Sequence, residues 1–504
     1  MKQDSQVDGA EEERYVFAPS LDWQVTDRTL INFNMYYQKD PAMGINSSMP
    51  LEVLKMHSPS VSMGDENWSK FERDVFMLGY KINHEFSNGW SFLQNARYMD
   101  ASLYQENTYH VGTGFNASTG NLKRTLYSTK ESSKSYVIDN QLSGLVNLGD
   151  WEHNLLIGFD YQDLTGDSLY KTYAGNTSFD GFNAYKPNNN LLDRGQVRET
   201  YKENHDISYT QMGFYFQDQM RYDNLVLLAG GRYDLFKSSD NKVSSLPAYD
   251  GKDESDHNQF SYRVGALYEL ANGVSPFASF ATSFEPAAGT DSKGNSFKPQ
   301  TGEQFEVGIK YMSPDMSKSL TASYFNITKN DSIVADPADP TYRDKIQVGK
   351  VRSQGLELEG RADLTENWDV QASYTYIDMK VKEALDQSLV GTTPIYVPEH
   401  SATLWTNYYV YSGVLSGMRF GGGARYMGEM QMDASNTQGK VPSYTVVDLS
   451  LGYELGNMSE ALSGVQANLV VNNVFDKEYY SCFDKTNCWF GAEQSVELNV
   501  KYDF

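Results

Sequence analysis

Apolar and polar residues alternate with a period of two along much of this chain. In its final run Val496, Leu498, Val500, Tyr502 and Phe504 alternate with Glu497, Asn499, Lys501 and Asp503. In a strand that period sends the apolar side chains to one face and the polar ones to the other. The same pattern sets Leu155, Ile157, Phe159 and Tyr161 against Asn154, Leu156, Gly158 and Asp160, and it recurs over 368–376 and 447–455. The polar faces consist mostly of Asp, Asn, Gln, Ser and Gly, which suits a wet interior better than a packed core. Strands of about ten residues or longer are predicted throughout, and no segment reads as a long amphipathic helix.

The predicted connections fall into two alternating classes. Short turns such as Ser87-Asn88-Gly89, Gly149-Asp150 and Asp223-Asn224 use turn-forming residues. Long loops are predicted over 39–70, 105–122, 165–205, 238–257, 286–302, 334–349, 383–399, 431–442 and 478–491. Short turns at one end and long loops at the other are the signature of a transmembrane antiparallel β-barrel, an all-β fold. Its long loops are expected outside the cell, and its short turns and C-terminus in the periplasm. An aromatic residue closing the last strand, with Tyr502 two positions earlier, fits the aromatic girdle of such a wall.

Composition narrows this further. Nowhere do eighteen apolar residues run together, which excludes a membrane-spanning helix. Aromatics make up 13% of the 504 residues, with 36 Tyr, as expected where interfacial girdles and a ligand-facing surface both need amphipathic rings. A net charge of -24 argues against nucleic acid as a partner. The acidic stretch 250–256 reads as a solvated charge run. Cys482 and Cys488, the only two cysteines, are spaced for a disulfide at a loop tip, which implies an oxidising compartment. The seven His are scattered without metal spacing, and no Ser/His/Asp set emerges. Neither a metal site nor catalytic residues are expected, and the protein is not read as an enzyme.

Counting gives about nineteen strands, and both the first clear strand, 14–23, and the last read as running toward the periplasm. The expected division is therefore 1–13 as the remnant of an extracellular loop and 14–504 as a barrel incomplete at its N-terminal edge.

Ordered stretches along nearly the whole chain then carry a resemblance. They are 13–21 (ERYVFAPSL), 37–41 (YQKDP), 230–234 (GGRYD), 283–286 (SFEP), 302–311 (GEQFEVGIKY), 353–359 (SQGLELE) and 472–479 (NNVFDKEY), with the loop holding Cys482 and Cys488. Together they resemble the TonB-dependent outer-membrane receptors, most closely the ferrichrome-type branch that takes hydroxamate siderophores. The resemblance implies a 22-strand barrel filled by an N-terminal plug, with neither the plug nor three strands present in this sequence. It also implies a ferric siderophore as ligand, which carries its own iron so that no cofactor is needed. Further implied partners are TonB with its inner-membrane energising complex, acting through the plug, and outer-membrane lipid and lipopolysaccharide around a monomer. Residues matching ligand-facing segments of the family are Tyr104, Tyr109, Phe179, Phe182, Tyr185 and Phe483, while Ala42-Met43-Gly44-Ile45-Asn46 stands where the family has an aromatic pair. A neutral hydroxamate complex needs amphipathic rings more than clustered cations. The alternative is a passive porin-like channel.

Overall fold

In the computed structural model, which describes residues 2–287, 297–335, 345–347 and 349–503, one antiparallel sheet of 21 strands forms a barrel wall. Two of these strands, Glu11–Phe17 and Ser20–Thr26, lie in line along the same neighbour, Thr29–Ala42, and the three-residue strand Lys2–Asp4 only straps the first of them. The wall therefore has nineteen staves. Each pairs with the next in sequence, from Thr29–Ala42 through to Ser495–Tyr502. The predicted boundary after residue 13 falls inside the strand Glu11–Phe17, which continues the wall outward.

The predicted alternation holds. Ile157, Phe214, Phe216, Leu356, Leu358 and Leu498 stand exposed on the outer, lipid-facing side. The inner side carries polar networks. Arg232 grips Asp160 through both terminal nitrogens (one bond at 2.9 Å) and Asp234 at 2.7 Å. Tyr215 donates to Asp139 at 2.5 Å and Gln211 to Asp234 at 2.7 Å. At one end the strands are joined by tight turns. Gly149 (φ 63°) and Asp223 (φ 51°) supply the left-handed backbone that two-residue hairpins need.

At the other end the structure departs from expectation. Of the segments read as loops, 105–122 and 238–257 are largely strand, and 165–205 is strand at both ends with 175–197 left as a loop: the staves Ser91–Asn116, Asn121–Leu148, Trp151–Ala174, Arg198–Tyr222, Leu225–Ser244 and Gly251–Tyr268 run far beyond the apolar belt. These segments are rich in Thr, Ser and Tyr, residues that pack well on a pleated surface and need no apolar partner to stay extended when hydrogen-bonded on both sides. The acidic stretch 250–256 likewise lies mostly in a strand, with ion pairs Lys237–Asp256 (3.0 Å) and Lys252–Glu254 (2.5 Å) in solvent. Loops 286–302 and 334–349 fall partly, and Phe504 wholly, outside the described residues.

The dry core lies in the long loops, not inside the wall. Met49, Val53, Leu54, Met63, Leu122, Phe182, Met430, Met432, Val441 and Phe490 bury one another around Cys482 and Cys488. A second cluster joins Trp68, Leu126, Phe179 and Leu192. The wall's two outermost staves are exposed on both faces, over Ser20–Thr26 and Ser495–Tyr502, and among the described residues no ladder joins them. At the loop end Gln6 bridges this seam, its side chain donating to Gly491 O (3.0 Å) and accepting from Glu493 N (3.2 Å).

Candidate functional site

Strand register decides which side of the extended hairpins each ring occupies. Successive residues point to opposite faces, so Tyr104 and Tyr109, five apart, cannot share one. Tyr109 falls on the side that lower down carries Asp139, Gln141 and Asp160, the lumen side. Tyr127 and Tyr170 fall on that same side of the adjoining staves. The three rings form a shelf, with centroids 5.5 Å apart for Tyr109–Tyr127 and 6.0 Å for Tyr127–Tyr170. Burial, then a hydrogen bond with Tyr109, holds the Tyr170 phenol well above its usual value. Directly below the shelf lies a shallow recess of about 300 Å³, lined by Arg73, Leu103, Glu131, Leu164, Ser168 and Ile207.

The shelf continues sideways into a charged triad. His205 binds Asp240 through Nδ1 (2.8 Å) and Glu203 through Nε2 (2.9 Å), and Glu203 sits directly opposite Tyr170 in the ladder. Burial pushes the His205 pKa down, but the two carboxylates outweigh it and the net shift is upward. A raised histidine stabilises the fold fully below its unfolded value, about 6.5, and that contribution fades as pH rises through the folded value. Amide exchange over 201–207, corrected for intrinsic rates, should therefore lose protection between neutral and alkaline pH. A His205→Gln variant should show no such step; the same step in that variant would rule out His205 as its source.

The other predicted site residues have different places. Tyr104, on the opposite face, donates to Glu106 at 2.7 Å, and Glu106 is held in turn by both terminal nitrogens of Arg194 at 2.9 Å. Phe179 and Phe182, expected to face ligand, are 1% and 0% exposed. They instead clamp the Arg124 guanidinium, 4.3 and 3.7 Å from its carbon. Loop aromatics without a ladder register carry no signal of which way they point, and these two point into the shell. Tyr185 packs on Phe115 and donates to Ala117 O (2.7 Å), so it too fastens loop to hairpin tip. Phe483 is 54% exposed; its neighbour Cys482 is buried, as alternation in the hairpin Tyr480–Asp484 with Asn487–Phe490 requires. Cys482 and Cys488 form the predicted disulfide. Among the described residues, no three His, Cys, Asp or Glu side chains converge to hold a metal ion.

Arg124 escaped the sequence reading because a single Arg in a polar strand looks solvated. It is buried, with Nη1 donating to Met63 O (2.9 Å) and Gly64 O (2.8 Å) and Nη2 lying 3.8 Å from Asp65. Burial lowers its pKa to about 10, with Asp65 and Asp180 opposing the shift. Asp65 also accepts from Leu191 N and Leu192 N at 3.0 and 3.1 Å, so this pair bolts loop 43–69 to loop 175–197. Met49 pairs with Cys488 by two backbone bonds of 2.9 Å, tying the first of these loops to the disulfide hairpin. Tyr127 was missed as well, although the alternation that places Tyr109 continues to it.

A many-stranded wall with a wet inner face, tight turns at one end and a loop shell at the other defines a transmembrane β-barrel of the outer membrane. The chain matches the family described as "TonB dependent receptor-like, beta-barrel" over residues 20–474, and it belongs to that family. It is 35% identical to the ferrioxamine B receptor of Salmonella typhimurium (strain SL1344), over 99% of this chain and 69% of that protein. It is 33% identical to the ferrichrome outer membrane transporter/phage receptor of Escherichia coli (strain K12), over 99% and 68%. In fold it is similar to the siderophore receptor PiuA from Acinetobacter baumannii, with TM-score 0.84, 22% identity and coverage of 98% and 75% of the two chains. The family and these relatives are receptors and transporters, not enzymes.

Proposed function

We propose that this chain is the ligand-capturing barrel of a receptor for ferric hydroxamate siderophores. The tyrosine shelf over the recess carries the reading. Three amphipathic rings on the lumen side suit a compact iron complex whose ligand oxygens are already spent on the metal. The iron arrives inside the ligand, so the protein needs no cofactor of its own. The loop shell and extended hairpins lie outside the cell, with the tight turns and the C-terminus in the periplasm. Uptake draws on TonB, coupled to an inner-membrane energy source. The barrel acts as a monomer in outer-membrane lipid and lipopolysaccharide. Tyr109 and Phe483 join Tyr127 and Tyr170 as ligand contacts, while Tyr104, Phe179, Phe182 and Tyr185 support the surface from behind.

Titration of the detergent-solubilised chain with a ferric trihydroxamate, followed by quenching of protein fluorescence, tests this. Tyr127→Ala should weaken binding about tenfold, the effect of losing one buried aromatic contact of about 1.4 kcal/mol. Unaltered affinity in that variant would remove the shelf from the site. Failure of the wild-type chain to bind any ferric hydroxamate would remove the function.

A further inference from the structure

We infer that His110 is an acid-sensitive latch on the loop shell: while neutral it lets loop 43–69 and the disulfide hairpin close over the stave Ser91–Asn116, and once protonated it drives them off. The inference goes beyond ligand capture and does not depend on which ligand is taken. His110 is 6% exposed and wedged where three elements meet. From loop 43–69, Ser48 Oγ stands 3.3 Å from Nδ1, and it donates in turn to Asn487 Oδ1 of the hairpin at 3.4 Å. One residue on, Met49 and Cys488 exchange the two backbone bonds that join loop to hairpin. Among the described residues Nε2 has no hydrogen-bond partner, and neither has Thr108 Oγ1, two positions back on the same face. A bare acceptor nitrogen is tolerable in a neutral ring. An imidazolium carries a donor on each nitrogen and must find a partner for both.

Counter-charge is short on every side. Directly opposite in the ladder stands Arg124, itself a buried cation. On the same stave and face, Glu106 is held by Arg194. Loop 43–69 turns the uncharged Ser48 toward the ring, and its buried acid, Asp65, is taken by Arg124 and three backbone N–H groups. The hairpin supplies Asp484, whose Oδ1 already accepts from Thr486 N and Oγ1 at 2.7 Å and from Asn487 N at 2.9 Å. Burial therefore holds the His110 pKa below its ordinary value, outweighing the backbone of Ser48 and Thr486 and the charge of Asp484. The closed shell excludes a proton that the open shell binds. Its stability is complete above the open-state value, about 6.5, and falls as pH drops below it. Burial raises the Asp484 pKa, but the bonds from Thr486 and Asn487 outweigh it and the net shift is downward, so Asp484 keeps its charge through this window. Arg124 stays charged as well.

The Cys482–Cys488 disulfide is the readout, because reductant reaches it only when the shell opens. The detergent-solubilised full chain is treated with a phosphine reductant at pH 7.5 and at pH 5.5. Each rate is divided by that of the same chain unfolded in denaturant at the same pH. The wild-type ratio should rise severalfold at pH 5.5, with a ceiling of about tenfold for a single proton. His57→Gln alters a histidine that faces Ala184 O instead (2.8 Å) and should keep the rise. His110→Gln and His110→Leu should stay level between the two pH values. The leucine, which fills the site without a polar atom, should do so at the wild-type pH 7.5 ratio. A level wild-type ratio, a rise in either His110 variant, loss of the rise in His57→Gln, or a His110→Leu shell already open at pH 7.5 overturns the inference.

Discussion

Arg124→Ala should release the loop shell while leaving the wall folded. Asp65 would remain buried without its charge partner, and Phe179 and Phe182 would lose the cation between them. Breaking a buried pair from one side costs about 3–5 kcal/mol. The lower end applies here, because three backbone N–H groups (Asn67, Leu191 and Leu192) still bond Asp65. That loss falls on one unit: loops 43–69 and 175–197 open together, since the bolt joins them and little else in the wall depends on it. Limited proteolysis should show new cleavage in both loops, with strand circular dichroism unchanged. Removing both charges, as Asp65→Asn with Arg124→Met, should recover part of the resistance, because a neutral pair leaves no stranded charge. Protease resistance equal to wild type in Arg124→Ala would mean the shell is held by its apolar clusters alone.

The second large effect is expected at the disulfide. Cys482 and Cys488 are six residues apart and 1% and 0% exposed. Closing so short a loop limits the unfolded chain by about 2 kcal/mol. Cys482→Ser with Cys488→Ser should therefore loosen the hairpin and the backbone bridge to Met49, exposing 480–490 to protease. Because Phe483 projects from this hairpin, ligand affinity should fall in the same variant. Reductant alone should act slowly on the folded chain, since neither sulfur is reachable without opening the shell. Equal protease sensitivity of wild type and variant would show that the neighbouring loops fasten the hairpin without the bond.

Alternation was a reliable guide wherever a strand pairs on both sides, because a period of two leaves no freedom about faces. It placed Val496, Leu498 and Val500 outward and Glu357 and Glu359 inward, as the registers against Val471, Leu469 and Ala467 and against Ser323 and Thr321 require. It was less informative beyond the apolar belt. There both faces of a strand are polar or aromatic, so 105–122 and the two ends of 165–205 looked like loops although their backbones are largely laddered. The two cysteines were legible through spacing alone. Phe179 and Phe182 were not, because a loop aromatic is attractive as a ligand contact and equally useful as packing. Only the position of Arg124, far off in sequence, decides between these uses.

The clasp made by Gln6 has a kinetic consequence. Its partner Gly491 lies 485 positions away along the chain, so no local search can bring the two together. Loop-closure entropy disfavours that meeting until the intervening staves have zipped and carried the two segments into reach. Fastening of Gln6 onto the disulfide hairpin therefore follows the zipping of the staves between them, and a label reporting on that proximity would time this late step.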